Sequence, residues 1–225
     1  MRRIVAAFVG LAASMLLCTS ASALIISTLN SPANFVISQN EGNGVVLSAT
    51  GSVTITSGLN SPTLVLHVIL NNTSTLNGTP YTAADNIRLT GWGFGVNPNA
   101  TAVMFQDVAD GGIIDATLDS LPSLAAIEVC AWGGNNCSGG ANGGIQASAS
   151  DTFDLILSGN WGSSVTFDPL GVKFQTPVAS YEFTCTGTCS GGGDLTVPEP
   201  HTLALLGLGL IALGFVSRRK QADTY

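Results

Sequence analysis

Residues 45–70, VVLSATGSVTITSGLNSPTLVLHVIL, decide the fold. The first half, residues 45–57, alternates: Val53 and Ile55 fall on one face, Thr54 and Thr56 on the other. A period of two marks a strand with one wet face. Gly58 and the quartet Leu59-Asn60-Ser61-Pro62 then break the chain with turn residues. The second half, residues 64–70 (LVLHVIL), is almost continuously apolar and reads as a central strand covered on both faces. Leu-Asn-Ser-Pro also stands at 29–32, which reads as a repeated turn choice and not a structural repeat.

The same grammar runs outward from this stretch. Residues 35–37 lead into the turn-rich Asn40-Glu41-Gly42-Asn43-Gly44. Residues 87–96 (IRLTGWGFGV) alternate, with glycines at 91, 93 and 95. Further short β-rich runs stand at 102–105, 126–130, 152–158, 165–167 and 172–175. No sustained helical period occurs between 24 and 196. These signals predict an all-β fold, an antiparallel β-sandwich of roughly eight to ten strands.

Composition bounds what such a body can bind. Only Arg88 and Lys173 are basic between residues 24 and 196, against twelve acidic residues, a net charge of −10. Five of the seven basic residues lie in the two ends of the chain, so the overall −7 conceals this acidity. Phosphate backbones would repel such a body, which argues against nucleic acid as a partner. Four cysteines remain in the body: Cys130, Cys137, Cys185 and Cys189. An even number in an exported chain points to disulfides, and three pairings are open. The simplest is local, Cys130 with Cys137 and Cys185 with Cys189, each pair flanking a turn. A four-thiolate zinc site fits less well, because six residues separate the first pair and exported thiols are oxidised.

Catalytic motifs are not evident. The body has one histidine, His67, in the middle of LVLHVIL, where it reads as a packed core or face residue. No nucleophile elbow, zinc-protease helix or phosphate loop appears. Asp107, Asp110, Asp115 and Asp119 fall close together, and Asp107-x-x-Asp110-Gly111-Gly112 is a candidate calcium loop. It lacks the Asp-x-Asp-x-Asp-Gly pattern, so a solvated acidic loop is the plainer reading. Of Trp92, Trp132 and Trp161, the first and last flank strands as core residues do, whereas Trp132 sits inside the first cysteine loop, where it could stack on a sugar. No cofactor is expected.

The two ends speak of export. Arg2-Arg3, the apolar residues 4–17 and Ala21-Ser22-Ala23 form a signal peptide over 1–23, with the mature chain starting at Leu24. Leu17 before Cys18 argues against a lipoprotein. At the far end, residues 203–216 (LALLGLGLIALGFV) are apolar. As a helix they span roughly 21 Å, short for a bilayer core of about 30 Å. A membrane span over 202–217 is expected, with Arg218-Arg219-Lys220 as its cytoplasmic stop. Val197-Pro198-Glu199-Pro200 precedes it in an extended form that suits a processing enzyme. A Gly-rich linker over 190–196 joins this tail to the sandwich domain of 24–189.

Residues 197–220 closely resemble the PEP-CTERM sorting signal of exopolysaccharide-producing Gram-negative bacteria. The resemblance implies recognition by an exosortase, transient anchoring in the inner membrane, cleavage near Pro198-Glu199-Pro200, and a final place on the cell surface or outside it. Four phrases of the body, at 71–74, 91–99, 129–140 and 172–175, resemble the cistern family of PEP-CTERM proteins. That family implies no activity. The expectation is an exported, non-enzymatic surface or biofilm-matrix protein, with exosortase and exopolysaccharide as partners. The alternative is a carbohydrate- or calcium-binding sandwich module.

Overall fold

The computed structural model describes residues 23–139 and 142–185, all within the first of two compact units, Met1–Gly193. Among the described residues fourteen strands build two seven-stranded sheets that form a β-sandwich. The first sheet runs β1 (Leu24–Ile26), β13 (Val165–Gln175), β7 (Arg88–Asn97), β10 (Val129–Trp132), β9 (Asp115–Thr117). In it β11 (Ile145–Gln146) also pairs with β7, and β14 (Ser180–Thr184) with β13. The second sheet runs β6 (Thr79–Pro80), β5 (Thr75–Leu76), β3 (Val45–Ser57), β4 (Thr63–Asn72), β12 (Ser150–Ser158), β8 (Ala102–Ala109), with β2 (Pro32–Gly42) beside β3. Pairing among these strands is antiparallel. Among the described residues the single helical element is a 3-10 turn at Ala83–Asp85.

The deciding stretch forms β3 and β4 in the centre of the second sheet. Their register sets Val53 opposite Val68 and Ile55 opposite Leu66, and all four are fully buried. Thr54 and His67 pair on the other side. Here the expectation for LVLHVIL needs correcting. β4 is central, but only Leu64, Leu66, Val68 and Leu70 are buried; Val65 and His67 are half-buried and Ile69 is exposed. One face of the strand meets water. The turn reading holds: Asn30 and Asn60, from the two Leu-Asn-Ser-Pro copies, both adopt the left-handed conformation, at φ 59 and 58.

Residues 165–167 and 172–175, expected as two strands, are one, with an irregularity between Phe167 and Leu170. The run expected at 126–130 begins pairing only at Val129. The strand count exceeds the expected one because β1, β5, β6, β9 and β11 are two or three residues long.

Aromatic rings fill the space between the sheets. Trp92 stacks on Phe35 with centroids 5.8 Å apart and meets Phe153 edge-on at 6.2 Å, joining the two layers. Phe94 packs edge-on against Phe167 at 5.2 Å. Burying such side chains contributes about 1.5–3 kcal/mol each, and aromatic geometry adds to that. Asn72 is the polar counterpart. Fully buried, its amide donates to the carbonyls of Ile87 and Ile145 in the first sheet, and its oxygen accepts from the Ser74 hydroxyl. A buried amide satisfied on all sides fixes how the two layers align.

The glycines of GWGFG now acquire a reason. Trp92 and Phe94 face the core, so Gly91 and Gly93 face outward. Across the first sheet Gly93 stands beside Gly171 and Cys130, leaving a shallow trough. Residues 118–128 lie over it. A Cβ on Gly93 would come within 2.6 Å of Ile127 Cγ2, and one on Gly171 within 2.8 Å of Leu124 Cδ1. Leu121, Ile127, Cys130 and Cys137 form a second, smaller apolar cluster, with Leu124 and Trp132 packed against it.

Candidate functional site

A disulfide packs against the cover over the trough, and a buried ion pair fastens it. Cys130 and Cys137 form a disulfide and are buried, so the first local pairing is as expected. Cys185 is also disulfide-bonded; its expected partner Cys189 lies outside the described residues. Lys173 and Glu182, opposite each other on β13 and β14, make an ion pair with side chains only 7% exposed. The second oxygen of Glu182 accepts the backbone N–H of Ser123 at 2.6 Å, fastening the cover to the sheet. Burial pushes the Glu182 carboxyl up, but the Lys173 hydrogen bond and charge and the Ser123 amide outweigh it and hold the group below its ordinary range.

His67 stands on the open face of the second sheet, where its Nδ1 lies 2.7 Å from Asp154 Oδ1. The bond spans the registered pair of β4 and β12 and fixes the ring. Asp154 is a neighbour that sequence spacing alone does not supply, since 87 residues separate the two. Around them the face carries Thr54, Ser52, Thr152 and Gln106 in register, together with the exposed Ile69 and Met104.

Asp107 and Asp110 are both exposed. Their charges reach Asp151, which is 2% exposed and whose oxygens accept the backbone N–H groups of Ile113 at 2.6 Å and Thr152 at 2.7 Å. Burial pushes the Asp151 carboxyl up, its two amide partners pull it down, and Asp107 and Asp110 push it up again, with a net rise. Among the described residues no three His, Cys, Asp or Glu side chains are grouped to hold a metal ion. Asp115 and Asp119 turn back on the backbone, each accepting the N–H of the next residue. Trp92 and Trp161 are buried in the core; Trp132 is half-buried against the second cluster.

Sequence reading passed over an open recess of about 450 Å³ at the start of β7, lined by Arg88, Asp110, Gln146 and Ser150, by the exposed Ile114 and by several glycines. Three loops meet there backbone to backbone. A Cβ on Gly143 would sit 1.3 Å from the Gly133 carbonyl oxygen, and one on Gly133 2.0 Å from that of Gly112. The one available signal was charge: Arg88 is one of two cations in the whole body.

The tail residues Val197, Pro198, Glu199, Pro200, Arg218, Arg219 and Lys220, with the expected span at 202–217, lie outside the described residues, as do residues 1–22 of the signal peptide expected over 1–23. Among the described residues no helix is long and apolar enough to cross a membrane. The family model of the PEP-CTERM protein-sorting motif matches residues 196–220. The chain carries a PEP-CTERM sorting signal. Such a signal marks an exported protein that exosortase recognises and processes at the membrane. The match does not extend to the sandwich, which is cargo to the PEP-CTERM tail. No curated protein and no solved structure matches the chain.

Proposed function

We propose that this chain is a non-enzymatic surface or extracellular-matrix protein of a Gram-negative bacterium, associated with biofilm or exopolysaccharide. The sorting signal at 196–220 carries the reading, because it delivers the sandwich to the cell exterior. The chemistry of the body supports it. Nucleophilic catalysis by a histidine and a carboxylate needs a substrate held close and shielded from water. His67 and Asp154 instead occupy the solvent-facing side of a central strand pair, where their bond serves the sheet. The acidity of the body suits a protein that stays dissolved among other polymers.

Cell fractionation with and without the exosortase tests this. With the enzyme present, the body should reach the surface or medium, and mass spectrometry should find no peptide from residues 203–220. An intact tail on surface material would make residues 197–220 a plain membrane anchor. A folded His67→Ala variant that lost turnover of some substrate would make the sandwich an enzyme.

A further inference from the structure

We propose that the recess at the start of β7 binds a carboxylate-bearing sugar, a uronic acid unit of an acidic polysaccharide, through Arg88. The inference rests on the reading of the chain as an exported matrix protein and names the ligand class of its sandwich. The argument begins with charge. Among the described residues there are two basic side chains and one histidine. Lys173 is held by Glu182, and His67 by Asp154. Arg88 has no hydrogen-bonding or ion-pair partner for its guanidinium among the described residues, although the body carries twelve acidic residues. Asp110 lines the same recess without pairing with it. A planar fork of donors left open in an acidic body fits one ligand group above others, a carboxylate gripped by two parallel bonds.

The rest of the wall selects the body of that ligand. Gln146 stands beside Arg88 in the β7–β11 register. Gln146 and Ser150 are neutral groups that both donate and accept, as ring hydroxyls do. Asp110 accepts only and suits a ring hydroxyl; its charge works against any anion, a phosphate more than a singly charged carboxylate. Ile114, 58% exposed at the rim, offers an apolar surface to the C–H face of a sugar ring. The amides of Gly111 and Gly112 donate to no group among the described residues, so they too are open to an oxygen. The volume, about 450 Å³, lies within the usual range for small-ligand sites. Because the loops touch through glycine backbones, a side chain on Gly133, Gly143 or Gly144 would not fit the floor of the recess.

The test is titration calorimetry on the purified full-length chain with trimers of galacturonate, glucuronate and mannuronate, and with the methyl ester of the trimer that binds. We expect binding to at least one acid trimer. We expect roughly tenfold or greater weakening in Arg88→Gln and for the ester, with Arg88→Lys in between, since an ammonium supplies charge without the fork. Arg88 makes no hydrogen bond or ion pair among the described residues, so these variants should fold with little change in melting temperature. The proposal is overturned if no acid trimer binds, if the ester binds as well as the acid, if Arg88→Gln binds as well as the parent, or if free amino acids compete equally. None of these outcomes bears on tail processing, which is read separately by mass spectrometry.

Discussion

The two outer faces of the sandwich are finished in opposite ways. The first sheet presents Gly91, Gly93 and Gly171 and is roofed by residues 118–128, a disulfide and a buried ion pair. The second presents Ser52, Thr54, Thr152 and the His67–Asp154 pair directly to water. A strand that omits its outward side chains must borrow apolar cover from elsewhere in the chain. A face that keeps its outward side chains, polar for the most part here with Ile69 and Met104 among them, carries no such cover. The roofed face should therefore be intolerant of substitution and the open face permissive.

The largest effect should come from removing the fastening of the roof. Glu182→Ala leaves Lys173 buried without a partner and the Ser123 amide without an acceptor, and should cost about 3 kcal/mol in urea unfolding. Its pH dependence sharpens the point. The Glu182 carboxyl is held below its ordinary value of 4.5, so the stability it confers is complete above that pH and is lost as pH falls through the lowered folded value. The stability gap between the parent and Glu182→Gln should close over that acid window. A gap that widened there would mean Glu182 is not held as an anion.

Next comes the trough itself. Gly93→Val drives a side chain into Ile127 and the Val129 carbonyl and should cost about 2–3 kcal/mol. Thr54→Val on the open face should stay within about 0.5 kcal/mol. Equal costs for these two substitutions would erase the distinction between the faces. Removing the disulfide by Cys130→Ala with Cys137→Ala opens a loop with a sequence separation of only seven, which should cost about 2 kcal/mol. Hydrogen exchange should then rise chiefly in residues 118–139 and little in β4 and β12. On the open face His67→Ala breaks a half-exposed pair and should cost little, about 0.5–1 kcal/mol.

The contrast also explains what the sequence could reveal. GWGFG is legible as a strand because its period is two, yet nothing local tells why the small partner is glycine and not serine. The answer lies about 30 residues downstream in Leu121, Leu124 and Ile127, in a stretch that reads as a loop. LVLHVIL shows the complementary failure. A short apolar run cannot say whether one face or two are buried, and the half-exposure of Val65 and His67 is decided by what fails to pack on them. Asp168-Pro169 broke β13 into two expected strands, since proline removes a ladder donor that the irregularity there does without. Strands of two residues, such as β11, carry too few side chains to show a period. The sorting signal was legible in full because its parts are contiguous and need no tertiary context. Arg88 was visible as a scarce cation but not as an unpaired one, since pairing is settled only by the neighbours folding brings.

The pairing of β8 with β12 holds one more consequence. These two strands are adjacent in the second sheet, with Ala109 opposite Thr152, yet forty residues of chain, 110–149, separate them. Everything between, β9 to β11 with the roof and the Cys130–Cys137 bridge, is an excursion that leaves one hairpin and returns to it. It also supplies most of the wall opposite Arg88. One segment thus closes the first sheet, through β10 and β11 on β7, covers the glycine trough and shapes the recess, while β8 and β12 hold their own register.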